Sequence, residues 1–146
     1  DLYFKFLCFK FNFFYKLLPI NFIPEKSNFE VVIIEFGNNP NFEFLLRNNI
    51  FKLGKKWSFT IICGNDNFHS IDNIVSNISK NIKIIKCNLN QLTENDYNLF
   101  LTNKNFWSML SGEKILLLNS NTYINYFDLN NFISYDFIQN FFQTEK

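Results

Sequence analysis

Few residues in this 146-residue chain have both the type and the setting to do chemistry. Glu35, Phe36 and Gly37 close the apolar run "FEVVIIEF" (29–36), and Gly64 closes "WSFTIICG" (57–64). Asn119, Ser120, Asn121 and Thr122 follow the apolar stretch of "GEKILLLNSNT" (112–122). A buried run that ends in small polar side chains or glycine is where a backbone can approach a ligand and polar groups can orient it. Arg47 could reach an anionic group such as a phosphate, or pair with Glu43 one helical turn away. Asp136 could add a second polar ligand or cap a turn.

Other chemistry is excluded by what the sequence lacks. There is one histidine, His69, so a His-rich metal centre is ruled out and a Ser-His-Asp triad is not expected. The four glycines stand apart, so neither the G-x-G-x-x-G fingerprint nor a P-loop is present. Cys8, Cys63 and Cys87 are too few and too scattered for a disulfide framework, and Cys63 and Cys87 end apolar runs where thiols simply pack. Lys and Arg number 14 against 13 acids, a net charge of +1, so no global field recruits nucleic acid. Phe, with 21 copies, and Asn dominate, as codons rich in A and T would produce, and in such a chain Asn can stand where Asp once did.

The elements that would position these residues alternate. Apolar runs at 29–36, 57–64, 82–87 and 114–119 have strand length. Between them lie a helix over 39–51, with Asn39 as cap and Pro40 in its first turn, and a second capped by Ser70. A third, over 93–101, has Thr93 as cap and acids in its first turn. Runs without polar alternation suit parallel strands covered on both faces, so 31–34, 59–62, 82–85 and 115–118 are all expected to be buried. The pattern predicts an α/β fold with a doubly wound, mostly parallel sheet in three layers. With strand order 3-2-1-4, the exits of strands one and four meet, and the polar tetrad at 119–122 would face Glu35 across a crevice. Tyr97 and Trp107 are expected in the core, and His69 on the surface.

Ahead of Pro24 lies "DLYFKFLCFKFNFFYKLLPINFIP", with 1–28 read as a separate segment and linker and 29–146 as the domain. Lys5, Lys10 and Lys16 interrupt it, so it is neither a spanning helix nor a signal peptide, which leaves the cytoplasm as the expected compartment. It reads either as a packing element or as a segment that holds a protein partner, a second copy or a membrane surface. The start at Asp1 rather than Met is what a fragment would show.

Taken together, "IIEF", "NFEFLLRN" (41–48), "WSFTIICG", "LTENDYN" (92–98), "FW" (106–107), "GEKILLLNSNT" and "YDFIQNFF" (135–142) follow one order and spacing. In these motifs the chain resembles an uncharacterised domain family with a GT-A-type, glycosyltransferase-like fold, found in bacteria, fungi and large DNA viruses. The resemblance implies the Rossmann-like N-terminal half of such an enzyme. A sugar nucleotide would be bound near Glu35, Phe36, Gly37, Arg47, Gly64, Asn119, Ser120, Asn121 and Asp136. It also implies a divalent metal, Mn or Mg, held by an acid after the fourth strand. Here that acid is Asn121, which brings a carbonyl oxygen but no charge. The family's closing Gly-Ala-Pro-Trp is Gln139-Asn140-Phe141-Phe142, and the acceptor-binding half does not follow. A truncated, degenerate member is therefore expected, with transfer activity in doubt and a structural or interaction role as the alternative.

Overall fold

The computed structural model describes residues 2–18, 22–124 and 133–135. Helix α1 (Leu2–Leu17) precedes strand β1 (Phe29–Glu35), helix α2 (Phe42–Leu53) and strand β2 (Trp57–Cys63). Helix α3 (Phe68–Ser76), strand β3 (Lys83–Lys86), helices α4 (Glu94–Thr102) and α5 (Lys104–Ser108), and strand β4 (Lys114–Asn119) follow. The four strands form one parallel sheet in the order β3-β2-β1-β4. The α/β class and the strand order therefore agree with the pattern of apolar runs.

Alternate residues of each strand enter different clusters, as the period of two requires. Val31, Ile33, Phe59 and Ile61 pack with Phe42, Leu46 and Ile50 of α2 and with Ile71 and Val75 of α3. Val32, Ile34 and Ile62 pack with Phe106 of α5 and with Tyr97 and Phe100 of α4. Each fully buried side chain of this size contributes about 1.5–3 kcal/mol.

Burial is less uniform than expected. Residues 31–34 and 59–62 are buried throughout, but 115–118 are only half-buried. In the third run Ile82 is buried, Lys83 is exposed, and Ile84 and Ile85 are intermediate. The reason is topological. Strands β3 and β4 are the edges of this sheet, and an edge strand has one neighbour, not two. Trp107 also departs from expectation: Phe106 fills the core while Trp107 stays 40% exposed, its indole N–H donating to the Leu101 carbonyl at 2.8 Å. His69 is on the surface.

Helix starts separate local from tertiary control. Thr93 caps α4 as expected: its hydroxyl accepts from Asp96 N at 3.2 Å, and the Asp96 carboxylate accepts from Thr93 N at 3.0 Å. Helix α2 begins at Phe42, two residues beyond Pro40, because Asn39 is used elsewhere. Its side-chain oxygen accepts from Asn41 N at 2.9 Å, which makes 39–41 a turn. Helix α3 begins at Phe68, so Ser70 lies inside it and Asn67 takes the cap position.

One buried acid went unnoticed in the sequence. Glu30, 1% exposed, accepts from Thr60 Oγ1 at 2.5 Å, from Ser111 N at 2.6 Å and from Gly112 N at 2.7 Å. It pins the turn that precedes β4 to the start of β1. Gly112 is needed for this approach, since a Cβ there would lie 2.6 Å from the Glu30 Cβ.

Candidate functional site

The chain runs β1, β2, β3 across the sheet in one direction, then returns to place β4 on the free side of β1. The reversal makes the carboxyl ends of β1 and β4 the switch point, where open α/β sheets hold their ligands. Ile34 pairs with Asn119, so Glu35 and the tetrad at 119–122 leave the sheet side by side.

Asn39, read from the sequence only as a cap, joins the two exits. Its amide nitrogen donates to the Ser120 carbonyl at 3.1 Å and to Asn121 Oδ1 at 2.9 Å. The tetrad closes as a turn, with Thr122 N donating to the Asn119 carbonyl at 2.9 Å. Behind it, Asn49 Nδ2 donates to the Thr122 carbonyl at 3.3 Å, and buried Asn48 donates to the Ile124 carbonyl at 3.0 Å. The loop after β4 is thus anchored by three asparagines of one α2 region, all hidden from sequence reasoning by the general abundance of Asn.

Asn67 does the same for the other side. It is 2% exposed, and its amide donates to the carbonyls of Glu35 (2.9 Å) and Gly37 (2.8 Å) while its oxygen accepts from Gly64 N at 2.9 Å. Gly64 serves packing rather than ligand approach: a Cβ there would meet the Leu89 carbonyl at 2.6 Å and the Phe36 ring at 3.0 Å. Phe36 itself packs among the α4 and α5 side chains, near Phe100.

Glu35 is 4% exposed. One carboxylate oxygen accepts from the backbone N–H of Gly37, and the missing side chain of Gly37 leaves room for that oxygen. The other, Oε2, is buried with no hydrogen-bond partner. A buried carboxylate oxygen without a donor is costly, so it marks a place where a ligand donor, a hydroxyl or an N–H, would be favourable. Glu35 makes no hydrogen bond to the tetrad expected to face it. Asn121 turns its oxygen to Asn39 instead.

Other candidates separate from this centre. Arg47 is buried and its Nε donates to Glu43 Oε1 at 3.0 Å, with Lys16 on the second Glu43 oxygen at 3.2 Å, so the pairing one helical turn away is made. Asp136 lies outside the described residues. The metal implied by the resemblance does not fit what surrounds Asn121. Its amide oxygen is engaged, and no group of three His, Cys, Asp or Glu among the described residues could hold an ion. Cys63, paired in register with Glu35, has its thiol pushed up to about 11, by burial first and by Cys87 next, so it is protonated near neutral pH and is not a nucleophile. A recess of about 330 Å3, lined by Lys26, Lys55 and Lys56, opens at the opposite end of the strands, away from the switch point.

The centre thus consists of a buried acceptor flanked by two loops that asparagine side chains hold in place. Set against family models, curated proteins and solved structures, the chain finds no match. The likeness to the glycosyltransferase-like family accordingly rests on its motifs alone.

Proposed function

We propose that the chain is a glycosyltransferase-like domain, a Rossmann-like, three-layer half of the GT-A type, that binds a sugar nucleotide at the β1/β4 switch point without performing metal-dependent transfer. The observation that carries this reading is the orphaned Glu35 Oε2 at the carboxyl end of β1. Sugars and ribose present adjacent hydroxyls, and a hydroxyl donating to a buried carboxylate makes a charge-assisted bond. The Asn39–Ser120–Asn121 bridge lies at the neighbouring exit of β4. Arg47 is tied to Glu43 and residue 121 carries no charge, so the diphosphate gains little from either and affinity is expected to be low.

Calorimetric titration with a panel of nucleotide sugars, with and without Mn2+, tests this. Weak, metal-indifferent binding that falls roughly tenfold in Glu35→Gln is expected, the loss of one hydrogen bond to a charged group. Tight Mn2+-dependent binding would overturn the metal-free reading, and no binding by any member of the panel would overturn the ligand class. In the latter case the second reading stands, a non-catalytic interaction module. The aromatic outer surface of α1 favours that role.

A further inference from the structure

Helix α1 is attached to the domain by a narrow stripe. Cys8, 2% exposed, packs with Phe44 and Leu45 of α2. Tyr15 joins the same cluster and donates to Asn48 Oδ1 at 2.8 Å, and Lys16 pairs with Glu43. The rest of the helix carries large apolar side chains into solvent. Leu2 (87%), Phe6 (58%), Phe9 (83%), Phe13 (72%) and Leu17 (68%) recur at spacings of three and four, so they form one stripe, centred roughly 140° around the helix from Cys8. Three exposed Phe and two Leu on one stripe exceed the few hundred Å2 of contiguous apolar surface usual for a soluble monomer.

We propose that this stripe lies on an anionic lipid surface, with α1 in the plane of the interface and the α/β domain above it. Charge placement selects this occupant. Helix α1 has three lysines and no acid. At 3.6 residues per turn, Lys5 and Lys16 border this apolar surface on one side, and Lys10 lies within it, between Leu17 and the exposed Tyr3 and Phe14. Lysines at the border of an apolar surface and within it can run their stems along that surface and reach outward to lipid phosphates. A second copy would suit this surface less, since pairing α1 with α1 brings Lys5 and Lys10 of both copies together with no acid on either helix, Lys16 being paired with Glu43. The 16 residues of α1 span about 24 Å, less than a hydrocarbon core, and no helix among the described residues is long and apolar enough to cross a membrane.

Flotation of the full chain tests the proposal, with vesicles of phosphatidylcholine alone or with about one-third phosphatidylserine. Binding to the mixed vesicles is expected, weaker by roughly tenfold or more on neutral vesicles and in high salt. Phe9→Ser with Phe13→Ser, and separately Lys5→Glu with Lys10→Glu, should each reduce binding by at least about tenfold. All four side chains are exposed, so unchanged far-UV circular dichroism is expected for both variants. As a direct reporter, Phe13→Trp should show blue-shifted emission with anionic vesicles. Equal binding by wild type and both variants, or none by wild type, overturns the proposal. Self-association by sedimentation velocity that Phe9→Ser with Phe13→Ser abolishes, without vesicle binding, overturns it in favour of a second copy.

Discussion

Two glutamates five residues apart on β1 are both buried, and they live differently. Glu30 sits at the start of the strand, on the face of α4 and α5, with both carboxylate oxygens occupied by donors from β2 and from the turn before β4. Glu35 sits at the strand's end, on the opposite face, with one oxygen on Gly37 and the other on nothing. Buried charge is tolerated when its lone pairs are satisfied and is expensive when they are not. The satisfied acid is therefore part of the architecture. The orphaned one is better explained by what it could bind. The same strand thus carries a fully satisfied end and an unsatisfied one, and the proposed site lies at the end that open α/β sheets use.

The comparison can be broken most readily at Glu30. Glu30→Ala strands the Thr60 hydroxyl and the Ser111 and Gly112 N–H groups, and should lower stability by about 3–5 kcal/mol, read as a shift of the urea midpoint. A loss below about 1 kcal/mol would show that the clamp is ornamental. Gly112→Ala attacks the same clamp from the other side. Its Cβ must push against the Glu30 backbone and Cβ, so a loss of about 2 kcal/mol is expected. Wild-type stability for Gly112→Ala would mean that the turn moves freely.

At the other end, alkaline pH probes the burial around Glu35. The folded Cys63 thiol sits at about 11, above its ordinary value of 9.0. Between those values the unfolded chain has released the proton and the folded chain has kept it. Stability should hold up to about pH 9 and fall from there to pH 11, by on the order of 1–2 kcal/mol from this group. Cys63→Ala should lose this part of the slope, and an unchanged slope would place the ionisation elsewhere. The smallest effect on stability is expected for Glu35→Gln. Its single protein bond can be kept by the amide oxygen, and a buried charge disappears, so the change should stay within about 1 kcal/mol of wild type. A loss as large as that of Glu30→Ala would erase the distinction between the two ends.

The sequence by itself determined the local elements, because their signals are local. Each apolar run of strand length became a strand, with β4 at the bounds its residues suggested, and the Thr93–Asp96 capping box formed across three residues. The alternation of strands and helices also carried the α/β class. Tertiary structure decided which polar residues matter. Asn39 reaches Asn121 across 82 positions, Glu30 reaches Ser111 across 81, and Asn67 reaches the Glu35 carbonyl across 32. Side-chain hydrogen bonds over such separations leave no periodic trace, and in a chain so rich in Asn one bridging amide cannot be told from many surface ones. Arg47 was drawn to Glu43 by helical spacing, an alternative visible in the sequence but selected only by burial. The half-burial of 115–118 likewise depended on β4 lying at the edge of the sheet. An apolar run records that burial is favourable; the number of neighbours that cover it is set by the assembled sheet.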